Sequence, residues 1–476
     1  MKDRLLFNND RNNFLETNLK KKYDKITFNI KCNVITISIS WKNNKNLLFM
    51  YLFGPDKNLY GQIVTNSKDG TRCISTISDY TSPCCKTLKS SETFQGEWTI
   101  EYAIYGEVES NTASILVKEE DEFNHKLKEI SLIERPKISE HTIYDEMKWY
   151  AGDFHTHTIF SDGKMTREEN NDIAKKQDLD FFIPTDHNIF HYKWPKSDDV
   201  FIYPGVEITS SYGHINLLFS EKNPFEEHSI FEIENKTSLI EIIKEAEKYS
   251  IVSINHPFMP PWDFLLGDLP LEYVKILEII NDPTYKTSIN ATNDAKDKWN
   301  CLLNDGFKVV GIGGSDSHLR PNEKYANSEY PSILGDPKTY LYSKGNSWND
   351  LKQALIQGDV VVSRKDFIDL NIHGLNRENN SFEGKVLLES KLTNETFHDL
   401  DLYHNWIIDG KTILKEKGLV SKLNQEIDLK YHWIRLDITD EDDNLYGFTN
   451  PIFFNRDKKT QSMKYWKDLM VKKYEN

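Results

Sequence analysis

The sequence predicts a multidomain chain in which a β/α barrel over residues 136–365 is flanked by an N-terminal β-sandwich with a linker (1–135) and a C-terminal β-sandwich with a tail (366–476). Three observations carry this. At 476 residues the chain exceeds the size at which one hydrophobic core stops growing. The texture of its apolar runs changes twice, from β-rich to alternating strand and helix and back. In the middle stretch alone, His, Asp and Glu cluster where apolar strand runs end.

Apolar residues make up 38% and aromatics 12%, which is ample for packed cores. The formal net charge of -15 excludes a general polyanion binder, because nucleic-acid and anionic-membrane surfaces need clustered Lys and Arg. No run approaches the roughly 20 apolar residues of a membrane span, and the start has no signal-peptide pattern, so a cytoplasmic location is expected. Cys32, Cys73, Cys84, Cys85 and Cys301 are odd in number and lack paired CxxC spacing, so they read as ordinary thiols.

In the first region, short β-rich runs such as Leu47–Phe53 and Trp98–Tyr105 alternate with turn clusters such as Gly54-Pro55-Asp56, the pattern of an antiparallel sandwich. A charged segment from Lys118 to Glu140 reads as a linker or a solvated helix. Beyond Trp149, strand runs at 181–185, 201–206, 215–219, 251–254, 274–280 and 308–313 alternate with amphipathic stretches, which predicts a parallel sheet closed or nearly closed into a barrel. Thr166 with Glu169, and Ser238 with Glu241, fit the capping box and mark two helix starts; Gly358 reads as a left-handed cap ending another. From about Asp366 the β-rich runs return, including 384–390, 433–438 and 446–449, and the tail from Lys458 reads as a short helix or a frayed end.

The chemistry lies at the strand ends. In Gly152-Asp153-Phe154-His155-Thr156-His157, the two histidines are two apart, which on a strand puts both imidazoles on one face, able to chelate one ion. Asp316-Ser317-His318, after Val309-Val310-Gly311-Ile312-Gly313-Gly314, repeats that geometry. Between them come Asp162, His187, Glu207, His214 and His256, each near an apolar run. The C-terminal ends of parallel barrel strands converge on one mouth, so these donors can meet there in numbers sufficient for two or three ions.

In order and spacing, the segments 152–157, 185–188, 205–207, 213–216, 255–257 and 313–318 resemble the PHP (polymerase and histidinol phosphatase) family, and within it the CehA/McbA-like metallohydrolases. The resemblance is specific over residues 149–364 and implies a distorted (β/α)7 TIM-like barrel with two or three divalent ions, of Mn, Zn or Fe. It implies that His155, His157, Glu207 and Asp316 hold one ion, that Glu207 bridges to a second held by His214 and His256, and that His187, His318 and Asp162 hold a third. Many members place His where this chain has Asp162, and a carboxylate makes a harder site.

The activity this implies is hydrolysis of a phosphomonoester or phosphodiester, of a small molecule or short oligonucleotide, by a metal-bridging hydroxide. Asp316, Arg320 and Asp186 are the candidate catalytic residues: Arg320 to grip a phosphate oxygen, Asp186 (with Asp153) as an acceptor fixing an imidazole tautomer. The same ions would serve a carboxyl-ester, carbamate or amide hydrolase. A non-catalytic glycan- or partner-binding scaffold is a third reading, opposed by so many ionisable residues that are costly to bury without metal. Trp262 and Phe264 are candidates for an apolar wall of the pocket.

Overall fold

β-strands dominate the computed structural model, with few helices, and the pairing of seven of the strands builds the site. The structure describes residues 6–7, 12–18, 22–31, 34–41, 47–66, 72–77, 95–105, 112–120, 132–134, 143–364, 367–393 and 401–471. The charged segment expected as a linker falls largely outside them, as do Cys32, Cys84 and Cys85; Cys301 is a buried free thiol.

In the central region β1 (Ile143–Thr156) pairs in parallel with β2 (Phe181–Pro184). A parallel bridge between His187 and Glu207 sets β2 beside β3 (Gly205–Ser210). β3 pairs with β4 (Gly213–Leu218), β4 with β5 (Ile251–Ile254), β5 with β6 (Ile276–Asn281) and β6 with β7 (Val310–Gly314). A parallel bridge from Ser317 to Thr156 returns the circuit to β1. Strands β3 to β7 bury both faces, as strands packed on two sides must, and Phe154, Ile183, Val206, Leu217, Ile254, Leu277 and Ile312 belong to one continuous core.

The circuit is not all-parallel as expected, because β4 runs antiparallel to both neighbours. Only Ser211 and Tyr212 separate β3 from β4, and a connection that short permits a hairpin but no parallel crossover. Gly213 makes the turn at φ 106°, against the Phe264 backbone. The reversal has a consequence for the site: the start of β4, where His214 sits, lies at the same rim as the ends of β3 and β5.

Three helices connect ring strands: α1 (Arg167–Lys176), α2 (Lys236–Ala246) and α3 (Ser288–Asn304). α1 starts at the expected capping box, with Thr166 and Glu169 satisfying each other's backbone amides. α2 starts earlier than expected, because the Asn235 side chain caps it by accepting from the amide of Ser238. α4 (Trp348–Gln357) ends at Gly358 with φ 84°, the left-handed cap the sequence indicates.

β8 (Lys338–Gly345) and β9 (Val360–Ser363) extend the sheet from the other edge of β1, and β9 pairs with Leu445–Thr449. The sheet therefore runs on into the C-terminal region, through His432–Thr439 and Tyr403–Ile408. A three-stranded sheet of Ile368–Asn371, Gly384–Leu392 and Val420–Ile427 shares with it a second core containing Trp406, Ile434 and Leu388. The tail forms a helix at Trp466–Val471. In the N-terminal region one antiparallel sheet has the order Leu6–Phe7, Asn12–Asn18, Thr112–Glu120, Val34–Trp41, Arg72–Ile77, and another the order Tyr23–Ile30, Gly96–Tyr105, Leu47–Phe53, Leu59–Asn66. Among the described residues no helix is long and apolar enough to cross a membrane.

Candidate metal centre

The ring's rim gathers nine side chains whose ligand atoms fall into overlapping groups within 4.8 Å: His155, His157, Asp162, His187, Glu207, His214, His256, Asp316 and His318. These are the nine the sequence nominates. Their grouping is denser than three separate sets, because Glu207 is common property. Its Oε1 lies 3.2 Å from His155 Nε2, 3.2 Å from His214 Nδ1 and 3.5 Å from His256 Nε2. Its Oε2 lies 2.7 Å from His187 Nδ1 and 3.5 Å from His157 Nε2. Asp316 Oδ1 lies 3.3 Å from His155 Nε2, 3.0 Å from His157 Nε2 and 3.4 Å from His318 Nδ1. Asp162 Oδ1 lies 3.1 Å from His318 Nε2 and 3.5 Å from His187 Nε2, and His157 joins that group.

His155, His157 and Glu207 are fully buried, whereas the Asp162, His318 and Asp316 side chains keep 22%, 21% and 15% of their surface, so the cluster opens toward solvent on that side. His155 Nε2, His157 Nε2, Glu207 Oε2, His214 Nδ1 and Asp316 Oδ1 make no hydrogen bond among the described residues. Buried polar atoms of native proteins are satisfied almost without exception, so these converging lone pairs fit divalent cations.

The opposite ring nitrogens are occupied, which fixes which nitrogen faces inward. His155 Nδ1 lies 3.1 Å from Glu278 Oε1; that buried carboxylate also accepts from the amide of His256 at 2.8 Å and from Asn281 Nδ2 at 3.0 Å. His157 Nδ1 meets Ser161 Oγ at 3.3 Å, and Ser161 donates to Asp186. Asp186 accepts as well from Thr158 N (2.8 Å), Thr158 Oγ1 (2.6 Å) and His191 Nε2 (2.5 Å), so it braces His157 through Ser161. His318 Nδ1 donates to the Asp316 carbonyl at 2.7 Å; His187 Nδ1 lies between Thr209 Oγ1 at 2.6 Å and Glu207 Oε2 at 2.7 Å, which leaves its Nε2 toward Asp162 Oδ1 at 3.5 Å. Asp153, by contrast, holds no imidazole. It accepts from the amides of His155, Ser315 and Gly335 and ties three backbone segments together beneath the site.

Electrostatics follow the packing. Burial, which alone would lower it, is outweighed at His318 by Asp162 and Asp316, and its pKa rises to about 10. His155 also rises against its burial, driven by Asp316, Glu278 and Glu207. His214, with burial dominant, falls to about 4. Glu207 and Asp316 drop well below the carboxylate range despite burial, held there by the surrounding imidazoles. The backbone is strained at two of the nine: His256 has φ 28° and Asp316 has φ 46°, unfavourable for non-glycine residues.

A cavity of about 810 Å³ opens over the cluster. Arg320 lines it, exposed, with its Nε 3.7 Å from Glu169. Trp262 lines it too, but Phe264 does not, being buried beneath against Trp466. Sequence reasoning missed Glu278, whose one signal is a lone carboxylate inside an apolar strand run, and His191, which lies beyond any strand end. It also missed Tyr105, whose hydroxyl lies 3.4 Å from His214 Nε2, and Asp282, a buried carboxyl on the cavity wall that accepts from Tyr325 at 2.8 Å.

No family model matches the sequence, and no curated protein matches it. Among solved structures it is similar to a two-domain protein from Bacteroides vulgatus containing a predicted PHP-like metal-dependent phosphoesterase, at 17% identity over 67% of this chain and 98% of that one, with a TM-score of 0.36. It is also similar to an amidohydrolase from Chromobacterium violaceum, at 15% identity over 38% of this chain and 93% of that one, with a TM-score of 0.23. Superpositions this loose leave the site's own geometry as the basis for a functional reading.

Proposed function

We propose that the chain is a metal-dependent phosphoesterase on a distorted (β/α)7 barrel of the PHP type, hydrolysing a phosphomonoester or phosphodiester with two or three divalent ions, Mn, Zn or Fe. The observation that carries this is the convergence of buried imidazole and carboxylate lone pairs, unbonded among the described residues, around Glu207 and Asp316. The closed circuit of strands supports the fold assignment.

Divalent cations in such a site activate water near neutral pH and neutralise charge growing on ester oxygens. The chain's own residues supply the rest. Glu207 and Asp316 would hold the ions together with imidazoles fixed in orientation by Glu278, Ser161 and the Asp316 carbonyl. Lys164 and Arg320 line the cavity, paired with Glu323 and Glu169 in exposed ion pairs that are weak enough to exchange for a phosphate. The test is elemental analysis of the purified protein beside the His155→Ala, His157→Ala double variant, with assays on p-nitrophenyl phosphate, bis(p-nitrophenyl) phosphate and p-nitrophenyl acetate in added Mn or Zn. Metal in the parent, its loss in the variant and turnover of a phosphate ester are expected. Turnover of the acetate alone would replace phosphoester with carboxyl-ester chemistry, and equal, negligible metal in both proteins would end the metallohydrolase reading.

A further inference from the structure

The second N-terminal sheet is built into the rim of the site. Tyr51 Oη and Gln62 Nε2, both buried, donate to the carbonyl of Asn188 at 2.7 and 2.9 Å, one residue beyond His187. The Asn188 side chain bonds both the amide and the carbonyl of Thr209, at 2.9 and 3.0 Å, and so passes that brace to the strand carrying Glu207. Gln62 Oε1 accepts from Asn223 Nδ2 at 2.9 Å and from the amide of Phe190. Buried bonds of this kind hold the sheet in one position.

From the same sheet, Leu47, Val64 and Tyr105 line the cavity. Leu47 and Tyr105 are directly paired across neighbouring strands. As a metal ligand through Nδ1, which turns toward Glu207 Oε1 at 3.2 Å, His214 would carry its proton on Nε2, which faces the Tyr105 hydroxyl at 3.4 Å. A phenol oxygen that accepts this proton keeps its own hydrogen to give, and Tyr105 lines the cavity beside the apolar side chains of Leu47 and Val64.

We infer that the N-terminal sheet is a wall of the active site, and that Tyr105 donates a hydrogen bond to an anionic phosphoryl oxygen of the substrate lying over Glu207 and His214. This rests on the metallophosphoesterase reading.

The experiment uses the full-length, Mn-loaded protein and its Tyr105→Phe variant, with kcat/KM on p-nitrophenyl phosphate, affinity for inorganic phosphate by calorimetry, and metal content measured on both. Removing one hydrogen bond to a charged oxygen lowers kcat/KM about tenfold or more and weakens phosphate binding comparably, with metal content unchanged. Values within twofold of the parent overturn the inference while leaving the functional reading standing. A loss that merely follows lost metal overturns it too, making Tyr105 a support for His214. If the parent turns over no ester, the functional reading fails, and the phosphate affinities alone decide: an undiminished affinity in the variant, or no phosphate binding by the parent, refutes the wall.

Discussion

Replacing Glu278 by Gln separates orientation of a ligand from ligation itself. Glu278 is buried at 1% exposure; its Oε1 faces His155 Nδ1 at 3.1 Å, and its Oε2 accepts from the His256 amide at 2.8 Å and Asn281 Nδ2 at 3.0 Å. A Gln of the same shape must put its NH2 on one of those two positions. On the Oε2 side it would face two donors, so it takes the Oε1 side and meets His155. His155 then either keeps the Nδ1 proton against another donor, or moves it to Nε2 and aims an N–H where its lone pair should point, beside Glu207 and Asp316. Partners of this kind are worth 10- to 100-fold in metal affinity, about 1.4–2.8 kcal/mol. Chelator competition on the folded variant should show that loss at the tightest site, with circular dichroism unchanged. An affinity within about threefold of the parent would refute the assignment of Glu278 as the acceptor that sets the His155 tautomer.

Three further outcomes are expected. Gly314→Ala would place a Cβ 2.5 Å from both Glu278 Oε1 and His155 Cβ, so it should cost about 1–3 kcal/mol in a denaturant titration and abolish metal uptake. Asp282 has its carboxyl lifted from 3.8 to about 6, by burial foremost and by the nearby Asp316; the folded state therefore holds its proton more tightly than the unfolded one, and stability is lost as pH rises from about 4 through 6. In metal-free protein, Asp282→Asn should thus gain relative to the parent by up to about 3 kcal/mol between pH 4 and pH 7, and a gap that does not widen with pH would contradict this. Trp466→Ala should cost about 3–5 kcal/mol by chemical denaturation, since the indole is fully buried, stacks on Phe258 at 5.9 Å and donates to the Phe264 carbonyl at 3.1 Å.

What the sequence discloses depends on whether the signal is local. His155, His157, Asp316 and His318 are legible because a strand's two-residue period turns spacing into facing, and apolar runs beside them mark the strand ends. The reversal of β4 is not legible in this way: the runs at 201–206 and 215–219 leave a longer gap, and the two-residue connection that rules out a parallel crossover emerges only once the strands extend to Ser210 and Gly213. Glu278 reads equally as an edge residue until the ring closes around it. Tyr105 is beyond local reading, since it meets His214 across 109 residues and from another region of the chain. The tail reads as a short helix or a frayed end, and the choice between them rests on the fold, which supplies Phe258 and Phe264 for Trp466 to cover.

The centre is also expensive to build, which bears on how the protein is held together. Glu207 is buried without one exposed atom's worth of relief, His256 and Asp316 occupy left-handed backbone costing about 1–3 kcal/mol each, and the His157 imidazole, its pKa lowered by burial and by His318 and His187, stacks on His318 at 4.2 Å between ring centres. In the metal-free chain, protons on His155 and His318 offset the carboxylates, as their raised pKa values indicate. A cation entering must displace those protons, so metal uptake should release them and strengthen as pH rises; a titration in weak buffer that shows no acidification would count against the whole cluster as a metal site. Because cations would bind the folded ring and not the unfolded chain, loading should also raise the unfolding temperature, by an amount that grows with the logarithm of free metal. The strain at His256 and Asp316, just beyond β5 and β7, would then serve to position ions, with the surrounding two-faced strands carrying the fold in their absence.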